Sequence, residues 1–141
     1  DGCFIGGRDI AETRDASRRA KDLAARLGKS IRTYAMVMVI HGDTDAQAEA
    51  LAETYRAGID EGAVAGMLES YGLDGNAMTA RAQGAFMTHT VIGAPATCAA
   101  RIAEFMRDGL LDGLMFIFDD YPKGLVMTGQ KILPHLRSVL A

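Results

Sequence analysis

The stretch Leu111-Asp-Gly-Leu-Met-Phe-Ile-Phe-Asp-Asp-Tyr-Pro-Lys-Gly-Leu125 is an apolar run that stops on two carboxylates and a tyrosine. Gly113 to Phe118 has no polar residue and no helical periodicity, which is how a strand covered on both faces reads. Asp119, Asp120 and Tyr121 fall at the carboxyl end of that strand, where parallel α/β folds carry their chemistry. Pro122 suits the first turn of a following helix, whose N–H would be unpaired anyway. Asp120 therefore reads equally well as a helix cap or as a site residue.

Working outward, Tyr34-Ala-Met-Val-Met-Val-Ile40 is a second continuous apolar run, again the pattern of a central parallel strand. Cys3-Phe-Ile5 is a strand stub ending on Gly6-Gly7. Between them, Ile10, Ala16, Ala20, Leu23, Ala24 and Leu27 recur at helical spacing, with acids at the start, bases later and Gly28 at the end. After the second strand, Thr44 and Gln47 form a capping box, and Ala48, Leu51, Ala52 and Tyr55 make the buried stripe of the next helix. A short helix is expected from Gly62 to Tyr71, then a loop. Thr90-Val-Ile-Gly-Ala-Pro95 leads into a helix with Ile102, Phe105 and Met106 on its apolar side. The last helix carries Leu125, Ile132, Leu133, Leu136 and Leu140, and Pro134 is expected to kink or restart it. The fold class is thus α/β, with strands and helices alternating around a parallel sheet. Three strands with helices outside leave open apolar edges, so the chain is expected to be the carboxyl-terminal part of a larger barrel or sheet.

The 141 residues are 49% apolar and 23% charged, a globular composition large enough for a core. A net charge of −3 leaves no electrostatic footprint for nucleic acid, and no apolar run is long enough to span a membrane. Cys3 and Cys98 have no metal or redox spacing and read as buried hydrophobes of a reducing, cytoplasmic compartment. The three histidines fall in no ligand pattern, so no metal is expected.

Five stretches together resemble the last third of the luciferase-like flavin monooxygenases, closest to the pyrimidine-ring-opening enzymes and their sulfone-oxidising relatives. They are Asp1-Gly-Cys-Phe-Ile-Gly-Gly7; Tyr34 through Asp45 with Tyr55-Arg-Ala-Gly-Ile-Asp-Glu61; Ile92-Gly-Ala-Pro-Ala-Thr-Cys-Ala-Ala-Arg-Ile102; Gly109 through Phe118; and Phe118-Asp-Asp-Tyr121 with Gly124. The resemblance implies that residues 1–141 are strands six to eight of one TIM (β/α)8 barrel lacking strands one to five, with 59–91 as an insertion or lid. It implies a reaction in which reduced FMN, supplied by a separate flavin reductase, activates O₂ to oxygenate a small substrate. A uracil-like pyrimidine is slightly favoured over a sulfone. A homo-oligomer and inactivity of these residues alone are implied as well.

The catalytic candidates are Asp119, Asp120 and His89, and the substrate-pocket candidates are Asp119, Asp120, Tyr121 and His41. Adjacent residues on an extended strand point opposite ways, so at most one of the two aspartates should face the pocket. His41 ends the second strand and reads also as an exposed or capping residue, while His89 and Arg81 would be lid residues. Gly6 and Gly7 adjoin the place where the family holds the FMN phosphate; they read also as a plain turn. Met36 and Met38 share a strand face and are expected to pack a barrel core. Two rival functions are a deazaflavin-dependent hydride-transferring oxidoreductase of the same fold and a non-catalytic α/β interaction module.

Overall fold

The structure, a computed structural model, describes residues 1–7, 9–70 and 88–140. Arg81, most of the expected loop after the third helix and the middle of the 59–91 segment lie outside them. In chain order the elements are β1 (Gly2–Phe4), α1 (Ile10–Arg26), β2 (Arg32–His41), α2 (Asp45–Ala57), α3 (Glu61–Ser70), β3 (His89–Gly93), α4 (Pro95–Asp108), β4 (Gly113–Ile117), α5 (Tyr121–Met127), a π-helical turn (Thr128–Ile132) and α6 (Leu133–Leu140).

Every strand pairing is parallel, and β2 is the centre of the sheet. Tyr34 lies opposite Phe4 on one edge and Gly113 on the other, while Met38 lies opposite Thr90 and Ile117. β1 and β3 therefore occupy successive stretches of one edge of β2, and β4 runs along the other. The sequence reading missed β3. Its five residues are too few for a periodicity to show, and its pairing with the upper half of β2 is decided by a partner distant in sequence.

The core lies on one face of the sheet. Ala35, Val37 and Val39 of β2 and Val91 of β3 pack with Cys98, Ile102 and Phe105 of α4 and with Ile132 and Leu136. Pro134 does not interrupt the last helix: α5, a π turn and α6 follow one another without a break, and the π turn lies just before the proline. The stripe read into α1 packs against the core only at its start, through Ile10, and its leucines are turned away. Leu23 and Leu27 are 60% and 66% exposed, and the helix instead buries Thr13 and Ser17. The reason is polar. The Ser17 hydroxyl donates to Leu110 O at 2.8 Å and lies 2.7 Å from Thr33 Oγ1, so α1 is registered on β2 by hydrogen bonds rather than by its leucines.

The opposite sheet face is partly bare. Met36 and Met115, paired across β2 and β4, are 43% and 45% exposed, and Phe4 stands beside Tyr34 with ring centroids 5.8 Å apart. Met36, expected in a barrel core, faces solvent here. The described residues leave uncovered this face, the Leu23–Leu27 surface and part of the last helices, where Leu125 and Leu140 of the expected stripe are exposed with Val126 and Val139 while Ile132 and Leu136 are buried.

Turns at the carboxyl end of the sheet are held by side-chain caps. Thr44 accepts from Gln47 N, and Gln47 reaches back to Asp43 N, the expected capping box. α4 has no cap of its own, since Ala94 stands at its start. Asp45 serves instead, accepting from Ala94 N at 2.7 Å and from Thr97 Oγ1 at 3.1 Å. A Cβ on Gly93 would lie 2.9 Å from Asp45 Oδ1 and 2.8 Å from Thr97 Cγ2, so this contact requires glycine there.

Candidate active site

The carboxyl ends of β2, β3 and β4 converge, since all four strands are parallel and β2 is their common partner. His41 ends β2 in register with Gly93, and Asp119 and Asp120 follow β4. Asp120 is the N-cap of α5. Its Oδ1 accepts from Lys123 N at 3.1 Å, and its Oδ2 pairs with Lys123 Nζ at 2.8 Å. These two contacts, the ammonium first, hold its carboxyl below the usual carboxylate range, and His41 is near enough to add to the effect.

Asp119 has a different partner. Tyr55, in the last turn of α2, donates its phenol to Asp119 Oδ2. That hydrogen bond is the main cause raising the Tyr55 phenol to about 12. Asp119 Oδ1 accepts no hydrogen bond among the described residues. The two neighbouring carboxylates are thus divided: one is consumed by a helix cap, the other keeps an oxygen without a partner among the described residues.

Tyr121 is exposed and lies edge-on to Phe118 with centroids 5.7 Å apart, so its ring is steadied without being buried. His41 is half-buried, and its Nδ1 is buried with no partner among the described residues, an uncommon state for a ring nitrogen.

His89 is not brought to this place. It begins β3 opposite Val37, four residues short of the His41–Gly93 pair, which is about 13 Å at strand rise. Its ring stacks on Phe105 at 4.0 Å and 16°, and burial lowers its pKa below the usual 6.5. Between the lowered folded value and the ordinary one, the unfolded chain binds more protons, so this group makes stability fall as pH drops through about 6.5. His89→Phe keeps the stacking and is expected to flatten that fall. Urea midpoints at pH 7.5 and 5.5 for both proteins check it; equal pH dependence would show that His89 contributes none of the slope.

Gly6 and Gly7 border a cavity of about 140 Å³ with Ile5, Thr13, Ala35, Met36, Thr88 and Phe105. The two glycines differ. Around Gly6 there is open space, whereas a Cβ on Gly7 would sit 2.3 Å from Thr13 Oγ1, so Gly7 serves the approach of α1. The cavity is of phosphate size and far below the roughly 300 Å³ at which small-molecule pockets begin. The Thr13 and Thr88 hydroxyls donate to Asp9 O and Met36 O, and the Ile5 and Thr13 amides to Tyr34 O and Asp9 O. A space of this size and lining does not form a site for a flavin ring. The described residues also hold no group of three His, Cys, Asp or Glu that could bind a metal ion.

Residues 1–112 match the family model of the luciferase-like monooxygenases. The chain belongs to that family. The pyrimidine monooxygenase RutA of Methylorubrum extorquens (strain PA1) is 34% identical over 129 residues, covering 85% of this chain and 35% of its own. This luciferase-like chain thus spans about a third of the length of the curated relatives it matches. Two crystal structures share its fold: a long-chain alkane monooxygenase, LadA (TM-score 0.79, 17% identity, 97% of this chain and 36% of that one), and the EDTA monooxygenase EmoA from Chelativorans sp. BNC1 (TM-score 0.79, 19% identity, 97% and 39%). No helix among the described residues of this luciferase-like chain is long and apolar enough to cross a membrane.

Two groups at the carboxyl end of the sheet carry no site signal in the sequence: Tyr55, which falls in the apolar stripe of α2 and opens the Tyr55–Glu61 stretch, and Asp45, which closes the Tyr34–Asp45 stretch. Their partners, Asp119 and Ala94–Thr97, are remote in sequence, so no local pattern marks either of them.

Proposed function

We propose that this chain is the carboxyl-terminal part, strands six to eight, of a luciferase-like (β/α)8 barrel, and that the whole protein is an FMNH₂-dependent monooxygenase of a small substrate. Family membership, the share of each relative that is matched and the bare Met36–Met115 sheet face support the barrel reading. In this reading β1, β2 and β4 are the three barrel strands and the uncovered face looks into the barrel. In the same reading the chain from 59 to the start of β3 is an insertion between the second and third barrel strands.

The observation that favours a pyrimidine over a sulfone is the free oxygen of Asp119. A carboxylate accepts hydrogen bonds and cannot donate them when ionised. It suits the N–H groups of a uracil-like ring and repels the oxygens of a sulfone, which offers no donor. His41 and Tyr121 flank this group at the strand ends and would orient the ring. Gly6 would lend open backbone to the FMN phosphate. Reduced FMN, delivered by a separate reductase, supplies the activation of O₂; the protein's part is to bind, orient and exclude water.

Anaerobic titration of reduced FMN into the full-length protein, followed by assay with uracil and dimethyl sulfone, tests this. Saturable binding and oxygen insertion into uracil are expected, with no turnover by the 141 residues alone. Turnover by those residues alone would overturn the partial-barrel reading. Failure to bind FMN, with binding of a deazaflavin, would move the protein to the hydride-transfer reading. Binding of neither, with a concentration-dependent melting temperature, would favour an interaction module.

A further inference from the structure

We infer that Tyr55 is a positioning residue for the oxygenation reaction: it anchors Asp119 through Oδ2 so that Oδ1 is presented to the substrate from the end of β4. The inference rests on the proposed function and adds to it the residue that aims the substrate-reading carboxylate.

The geometry comes from four observations. Asp119 is exposed and lies in the three-residue link between β4 and α5, where a carboxylate on its own samples several rotamers. Its neighbour Asp120 is fixed by the α5 cap and by Lys123, so the backbone on that side is pinned. Tyr55 is half-buried and stands on the last turn of a regular helix, α2, whose two central alanines, Ala48 and Ala52, are fully buried. Its neighbour Arg56 is held away from the aspartates by Glu49 and Glu53 at 2.8 and 3.1 Å. A rigid phenol thus meets a carboxylate across two elements far apart in sequence, with no cation competing for the same oxygen.

A phenol is well suited to this task. It donates one hydrogen bond to an anion, leaving the other carboxylate oxygen its full acceptor capacity. A lysine or arginine in the same place would neutralise the charge that favours an N–H donor. The raised Tyr55 pKa keeps the phenol protonated, and so donating, well above neutral pH. The groups around the pair are Asp120, whose charge also raises the phenol, Lys123, which is paired to Asp120, and His41. A merely structural bond between α2 and the β4–α5 link would use the same two groups. The difference lies in what their loss does to turnover.

The test uses the full-length protein with FMN and a flavin reductase, and uracil as the probe. Tyr55→Phe removes only the hydroxyl. It is expected to lower kcat/KM for uracil at least tenfold while shifting Tm by no more than about 2 °C. Asp119→Asn should lower it similarly, and the double variant should be no worse than the more impaired single one, the signature of two groups acting as a unit. Multiplicative losses, or an unchanged kcat/KM in Tyr55→Phe, would overturn the inference.

A second readout does not depend on turnover. With ¹³Cζ-labelled tyrosine, the Tyr55 resonance should stay that of the protonated phenol at pH 10.5, where tyrosines of the ordinary value of about 10 are mostly ionised. It should ionise with them in Asp119→Asn. If the wild type leaves uracil untouched but Tyr55 behaves in this way, the substrate reading fails and the anchoring of Asp119 stands. If Tyr55 titrates like the others in the wild type, the anchoring itself is overturned.

Discussion

Gly124→Ala is expected to destabilise the protein by about 2–3 kcal/mol, despite placing a better helix former in α5. The added Cβ would sit 2.2 Å from Phe118 Cγ, 2.4 Å from Cδ1 and 2.7 Å from Cβ. These atoms are the root of a buried side chain, not its flexible end, so no rotamer change removes the clash. Phe118 or the whole of α5 must move. Either shift carries Asp119, Asp120 and the α5 cap with it, because Phe118 is the residue just before them. Thermal or urea unfolding measures the loss, and the same substitution in a Phe118→Ala background should cost much less. Gly129→Ala is the control: nothing lies within 4 Å of its Cβ position, and the change is expected to be neutral or stabilising by up to about 1 kcal/mol. A loss at Gly129 as large as at Gly124 would mean that helix geometry, not the Phe118 contact, decides both.

The second large effect is expected at Asp112→Ala, about 2–3 kcal/mol. Asp112 stands just before β4 and closes a polar network at the amino end of the sheet. Its Oδ2 accepts from Thr33 N at 2.8 Å and from Lys21 Nζ at 2.9 Å, and its own N–H donates to Thr33 O at 2.9 Å. Leu110, at φ +56°, turns its carbonyl into the same network, where Ser17, Lys21 and Thr33 all donate to it. Alanine at 112 leaves the N–H of Thr33, a fully buried residue, without its acceptor. That orphaned donor accounts for most of the loss, since the Lys21 pair is half-exposed and worth little. Asp112→Asn retains a carbonyl acceptor and should lose less.

The pH dependence has a definite sign. The Thr33 N–H first and Lys21 second lower the Asp112 pKa, so its contribution is complete above the ordinary value of about 3.9. It is lost as pH falls through the depressed folded value. Acid unfolding should therefore begin at higher pH in Asp112→Ala if other carboxylates are unchanged. An identical acid midpoint would show that the ionised carboxylate is not what holds this corner.

Much of this protein was legible in the order of its residues. The apolar runs at 34–40 and 113–118 marked β2 and β4 because neither contains a charged residue or a helical period, although the face carrying Met36 and Met115 is exposed here. The glycines and prolines that end and start helices marked Gly28, Pro95 and Gly109, because backbone conformation at a helix end is a local matter. Asp120 was legible as a cap for the same reason, and the structure realises that local reading.

What depended on distant partners was not legible. β3 exists as a strand only because β2 lends it a hydrogen-bonding edge. α1 presents Thr13 and Ser17 rather than its leucines because Leu110 and Thr33 offer polar partners. His89 and the aspartates looked alike as candidates, yet the fold puts one against Phe105 and the others at the strand ends. Local sequence determined where each element starts, stops and turns, since those energies are set within one helical turn or one strand. Only the tertiary structure decided that Asp119 meets Tyr55 while Asp120 is spent on a cap, because that choice is made between groups brought together by the sheet.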